Sequence, residues 1–166
     1  MSVRIVLLTG APGAGKTTVL TALMNLLEAD DVPFAAIEME ALALAHPLLD
    51  DDVAFTHIEF VAGSFRDRGY SRLLVTATIE DEEYLRRLLA PLPWDDVLLV
   101  RLDAPPELLR ERLTRREPRE WVGLPRLLAA AETLSRSIAA LPGVELALST
   151  VDADPTMVAA KIRDAI

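Results

Sequence analysis

Eight consecutive residues, Gly10-Ala11-Pro12-Gly13-Ala14-Gly15-Lys16-Thr17, match G-x-x-x-x-G-K-[ST] at each fixed position. The chemistry expected of this pattern is the holding of a nucleoside triphosphate. Glycines let the backbone come close to phosphate oxygens and turn its N–H groups toward them. A helix opening directly after the loop offers its positive end to the same anion. Lys16 is placed for the β- and γ-phosphates, the Thr17 hydroxyl for Mg²⁺, and Thr18 for the α-phosphate. Lys16 is one of only two lysines against fifteen arginines, a bias that makes its position more informative.

Two further groups of residues could act on a bound triphosphate. Arg112, Arg115, Arg116 and Arg119 lie three or four apart, so one helical side can present several guanidiniums. A guanidinium can stack on a flat ring or fork two phosphate oxygens, which an ammonium does less well. Glu38 and Glu40 are two apart in Ile37-Glu38-Met39-Glu40 and share a side if a strand continues through them. Either could serve as general base toward a hydroxyl, with Glu38 preferred as nearest the predicted strand end.

These residues must be carried by elements that alternate. Strands are predicted over residues 3–9, 33–39, 72–77, 96–102 and 143–148. Between and after them, helices are expected over 16–28, 52–65, 107–116, 124–141 and 155–166, with one more running to about Leu89. Asp50-Asp51-Asp52 reads as a cap for the 52–65 helix, whose apolar face would be Val53, Phe60 and Val61. Thr78-Ile79-Glu80-Asp81 reads as a capping box for the helix ending near Leu89. Strands that are apolar on both faces and alternate with helices indicate a parallel sheet covered on both sides. The expectation is a three-layer α/β P-loop NTPase fold, with five parallel strands and helices on both faces.

Bulk properties narrow the function. The 166 residues suit one domain, and the net charge of -9 disfavours nucleic acid and anionic membranes as partners. Cysteine is absent, which excludes disulfides and thiolate chemistry, and two histidines give little basis for zinc. No apolar run is long enough to span a bilayer, and the short apolar start leads straight into the phosphate loop, so a cytoplasmic location is expected.

With the phosphate loop and the stretch from Val100 to Glu117 in view, the chain resembles the small P-loop kinases, the nucleoside-monophosphate-kinase-like group, nearest its shikimate and gluconate kinase branch. The resemblance follows most of the chain in order of elements. It implies that Arg112 packs on the adenine and that Arg115, or Arg116, reaches the transferring phosphate from a lid at about 112–123. It further implies that the loop 149–155, with Asp152, contacts the base, and that about 41–68 forms the acceptor side. There His46, His57, Arg66 and Arg68 are polar candidates. The implied function is transfer of the γ-phosphate of ATP, with Mg²⁺, to a small-molecule acceptor within a single domain spanning 1–166.

The pattern departs from that group in two places. The third strand ends Val75-Thr76-Ala77-Thr78 without the usual acid, leaving Thr76 or Thr78 to hold a Mg²⁺-bound water, and Glu-x-Glu stands where Asp-x-Asp is usual. The alternative these departures suggest is a nucleotide-binding regulatory protein. A regulatory GTPase is disfavoured because no Asn-Lys-x-Asp signature occurs, and an AAA-type motor because the chain is short and lacks the strand-three acids.

Overall fold

The computed structural model describes residues 4–92 and 96–166. Val3, the first residue of the expected first strand, lies outside them. Five parallel strands are present: β1 Arg4–Thr9, β2 Ala35–Glu38, β3 Arg72–Ala77, β4 Asp96–Asp103 and β5 Leu146–Ser149. Their spatial order is β2-β3-β1-β4-β5. Seven helices accompany them among the described residues: α1 Lys16–Ala29, α2 Met39–Leu42, α3 Asp51–Asp67, α4 Glu82–Leu89, α5 Pro106–Arg116, α6 Leu124–Ala139 and α7 Pro155–Arg163.

Strand order explains the layers. The β1-to-β2 connection runs one way across the sheet, and the three later connections run the other way. Right-handed crossovers therefore put α1 on one face and α3 to α6 on the opposite face. In keeping with this, α1 packs against α7 and α5 against α6. Both faces of the central strands are thus covered, and Ile5, Val6, Leu7, Leu8, Leu73, Leu74 and Val75 are all essentially inaccessible. The three-layer α/β fold expected from the sequence is present.

Three local expectations need correction. Strand β2 stops at Glu38, and the chain turns at once into the short helix α2. Glu38 and Glu40 therefore do not share a strand face. Helix α3 buries Ala54, Phe55, Ile58 and Ala62, while Phe60 is 79% exposed and Val53 faces solvent. Residues 54, 58 and 62 form a continuous i, i+4 row, and its small alanines let the helix lie close to its neighbours. Row continuity outweighed the size of Phe60. Finally, the N-cap of α4 is Asp81, whose side chain accepts from the Tyr84 N–H at 2.8 Å, so the proposed capping box is not formed and Thr78 is free for other contacts. The cap on α3 is Asp50, as the acidic run suggested, accepting from the Val53 N–H.

Candidate active site

In a parallel sheet of this kind, ligands meet the carboxyl ends of the strands where the connections reverse. Here that point is the end of β1, and the phosphate loop occupies it. Close approach dictates the glycine at its start: a Cβ on Gly10 would stand 2.8 Å from the Leu102 carbonyl oxygen and 2.9 Å from the Ala14 Cβ. Gly13 and Gly15 take φ of 85° and 98°, the left-handed region that suits glycine. Ala11 and Ala14 are buried beneath the loop, joined by an Ala14 N–H to Ala11 carbonyl hydrogen bond.

Helix α1 opens on this loop without a side-chain cap and without an acid in its first turn. Helices α3, α4 and α7 carry aspartate caps at Asp50, Asp81 and Asp154. The first amides of α1 are thus left to an external anion. A cavity of about 600 Å³ stands in front of them, lined by Pro12, Gly13, Gly15, Lys16, Thr17 and Thr18 on the loop side.

Lys16 is nearly buried at the cavity floor. Its Nζ donates to the Gly10 carbonyl and to Thr78 Oγ1, both at 2.9 Å, and lies 3.9 Å from a Glu40 carboxylate oxygen. Burial lowers its pKa from the ordinary lysine value; Glu40 opposes that shift, Arg116 adds to it, and Glu38 opposes it more weakly. A phosphate arriving here would supply the counter-charge that burial makes valuable.

The two glutamates converge on the site by separate routes. Glu38 accepts a hydrogen bond from Thr17 Oγ1 at 2.7 Å. Glu40, in the first turn of α2, accepts from the Thr78 N–H and hydroxyl at 2.9 and 2.8 Å through one oxygen, Oε1. The turn at Met39 thus does what a continued strand was expected to do, aiming both carboxylates at the loop.

A divalent ion fits beside Thr17. Mg²⁺ commonly takes one or two protein ligands together with phosphate oxygens and waters, and Thr17 with Glu38 makes such a donor pair. Thr76 supports the fit: it stands in register with Glu38 on the neighbouring strand, and its hydroxyl is buried without a partner. An ordered metal-bound water would satisfy it. Among the described residues no group of three or more acids or histidines could hold a metal by itself.

The opposite wall comes from α5 and the loop after β5. Arg112 donates to the Gly13 carbonyl at 3.2 Å, to Thr150 Oγ1 at 3.0 Å and to the Thr150 carbonyl at 2.7 Å. Thr150 in turn donates to the Ala14 carbonyl at 3.0 Å. Sequence reasoning gave Thr150 no separate weight, and a threonine after a strand carries no signal of such a role. Arg115 and Arg116 also line the cavity, with Arg115 paired to Glu111 and Arg116 to Glu117. Leu113, Leu127, Ala153, Pro155 and Val158 give this end an apolar lining.

Several candidates lie elsewhere. Asp152 is exposed, with φ of 47°, and does not line the cavity; Thr150, Ala153 and Pro155 from the same loop do. Arg119 belongs to a separate surface groove with Trp121 and Glu132. Helix α3 runs back along the sheet, which carries its C-terminal Arg66 and Arg68 to the end opposite the phosphate loop. There Arg66 pairs with Asp67, and Arg68 donates to Ser64. His57 hydrogen-bonds the Leu42 carbonyl and so holds α3 to α2, and His46 is exposed.

A family model described as an AAA domain matches residues 5–161. No curated protein matches the chain. Among solved structures, an unliganded sugar kinase from Janibacter is 21% identical, with a TM-score of 0.65, covering 98% of this chain and 93% of that one. A shikimate kinase from Acinetobacter baumannii in complex with shikimate is 20% identical, with a TM-score of 0.58 and coverage of 98% and 92%. An APS kinase from Mycobacterium tuberculosis, in complex with AMPPNP and APS, is 17% identical, with a TM-score of 0.61 and coverage of 98% and 96%.

Proposed function

The chain belongs to the AAA-domain family and has the fold of the small P-loop kinases, and we propose that it transfers the γ-phosphate of Mg-ATP to a hydroxyl of a small molecule. The observation that carries this reading is the position of Glu40. Its carboxylate is anchored through Oε1 on Thr78 beside Lys16, while its side chain remains half exposed at the wall of the phosphate cavity. A protein that only senses nucleotide has no need of a carboxylate held there.

In this reading Lys16 and the α1 amides hold the phosphates, Arg112 lies at the base end, and Arg115 and Arg116 offset charge on the transferring group. Thr17 and Glu38 would hold Mg²⁺, which supplies charge neutralisation of the phosphate oxygens. Glu38 was the preferred base on sequence grounds; its hydrogen bond to Thr17 favours the metal side for it and leaves the base role to Glu40. The acceptor oxygen forms a bond to the γ-phosphorus, the bridging P–O bond breaks with its electrons leaving on ADP, and the hydroxyl proton passes to Glu40. Residues 41–68 would form the acceptor side and 112–123 the lid of one domain.

The test is ADP release from Mg-ATP across a panel of hydroxyl acceptors, with Lys16→Ala as control. We expect a Lys16-dependent rate that rises with one acceptor class. ATP binding without acceptor stimulation throughout the panel would favour the regulatory reading, which the missing carboxylate at the end of β3 also motivates.

A further inference from the structure

In a trans peptide the carbonyl and the following N–H point in opposite directions, so whatever holds one aims the other. Within the phosphate loop, the peptide joining Gly13 to Ala14 is closed at both ends: its carbonyl accepts from Arg112 and its N–H donates to the Ala11 carbonyl. The peptide joining Ala14 to Gly15 is held at one end only. Its carbonyl accepts from the Thr150 hydroxyl at 3.0 Å, and among the described residues no protein group accepts from the Gly15 N–H. That N–H stands immediately before the uncapped first turn of α1, in the part of the cavity wall that includes Lys16.

Thr150 is buried where the chain leaves β5, and each of its polar groups has a partner. Its N–H donates to the Asp103 carbonyl at the end of β4, at 2.9 Å, and its carbonyl accepts from Arg112. The hydroxyl has one proton to give. The Ala14 carbonyl at 3.0 Å is a better acceptor for it than the Asp103 carbonyl at 3.4 Å, and the oxygen's lone pairs receive the Arg112 guanidinium. The methyl group faces Gly15, where a Cβ would stand 3.9 Å from it, at ordinary van der Waals contact. Thr150 is thus fixed to β4 by its backbone while its side chain holds the loop.

We propose that Thr150 is a positioning residue for the triphosphate: by holding the Ala14 carbonyl it aims the Gly15 N–H at the phosphate oxygens. This rests on the triphosphate binding in the reading above and not on the transfer step. Arg112 shares the same hydroxyl, so the base end and the phosphate end of the cavity are joined through one oxygen. Without that hydroxyl the buried Ala14 carbonyl has no partner, which favours a turn of the peptide that carries the Gly15 N–H out of line.

The test compares Thr150→Val, which keeps the shape and removes the hydroxyl, with Thr150→Ser, which keeps the hydroxyl. Ile58→Val, a core change on α3, is the control for stability alone. Calorimetry measures binding of Mg-AMPPNP and of inorganic tripolyphosphate with Mg²⁺, at a temperature where thermal melts show each variant folded. We expect tripolyphosphate affinity to fall about tenfold in Thr150→Val, and to stay near the wild-type value in Thr150→Ser and Ile58→Val. In NMR spectra of the isotope-labelled wild-type protein, the Gly15 amide resonance should move when tripolyphosphate is added, a reading that needs no variant to fold. Undiminished tripolyphosphate affinity in Thr150→Val, an equal loss in Thr150→Ser, or a Gly15 amide that does not respond overturns the proposal and leaves nucleotide binding standing. Wild-type protein that binds neither Mg-AMPPNP nor tripolyphosphate removes the nucleotide reading and the proposal together.

Discussion

Replacing Thr78 by valine separates this residue's contacts with Lys16 and Glu40 from the helix-capping role that its sequence position suggests. The hydroxyl donates to Glu40 and accepts from Lys16, at 2.8 and 2.9 Å. Hydrogen bonds to charged groups contribute about 1.5–3 kcal/mol each when desolvated. Glu40 is half exposed, so water replaces much of what is lost, and we expect a net stability loss of only about 1 kcal/mol. In a chain of this length that corresponds to a fall in Tm of about 2–4 °C. Turnover should suffer more, because Glu40 keeps only the Thr78 N–H as a hydrogen-bond donor, with the Lys16 ammonium at 3.9 Å. We expect kcat to fall about 10- to 100-fold, equivalent to about 1.4–2.7 kcal/mol in the barrier, with ATP affinity changed much less. Asp81→Ala is the matched control: it deletes the true cap of α4 at a cost of about 1 kcal/mol, so the two variants should melt alike. The assay is acceptor-stimulated ADP release beside thermal melts of both. Unchanged kcat in Thr78→Val, or an equal loss in Asp81→Ala, would refute the reasoning.

Three other outcomes follow from the packing and the charges. Gly10→Ala should destabilise by about 1–3 kcal/mol, since its Cβ meets the Leu102 carbonyl of β4 and a backbone atom cannot swing aside; denaturant melts measure this. Phe55→Ala should cost about 3–5 kcal/mol, whereas Phe60→Ala should stay within about 0.5 kcal/mol, and equal losses in urea would contradict the assigned face of α3. Burial first, and then the carboxylates of Asp51, Glu40 and Glu80, push the Tyr84 phenol up to about 12 from 10.0. The folded protein therefore keeps a proton that the unfolded chain loses, and stability should fall as pH rises from 10 to 12. Tyr84→Phe should show a smaller loss across that window in denaturant melts.

The sheet was legible because its strands are long apolar runs separated by clear turns, and the phosphate loop because its spacing is demanding. What escaped reading shares a physical cause. At Met39 the chain passes from strand to helix within one residue, and period-2 reasoning has no means of seeing a turn that local side chains do not announce. At α3 the bulk of Phe60 suggested a buried face, but the row of Ala54, Ile58 and Ala62 decided it. Thr78 could cap a helix or bind a lysine, and only the presence of Asp81 three residues on settles which. Thr150 acquires its role from Arg112, thirty-eight residues away in sequence, a relation that no local pattern carries. The acids at 50–52 and 80–83 were visible as runs, yet the approach of Asp51 and Glu80 to Tyr84 required the fold.

The contacts of Arg112 have a consequence for how a flat ring would be received. The guanidinium is a disc, and here its rim is occupied by the carbonyls of Gly13 and Thr150 and the Thr150 hydroxyl. Rim bonds lie in the plane of the ion and leave its broad surface uncommitted. In the kinase reading, a ring stacked on this guanidinium would meet a platform whose tilt has been fixed by folding rather than by binding. A lysine at this position would keep the charge and lose the platform, so in that reading shape, separately from charge, is what this residue would contribute.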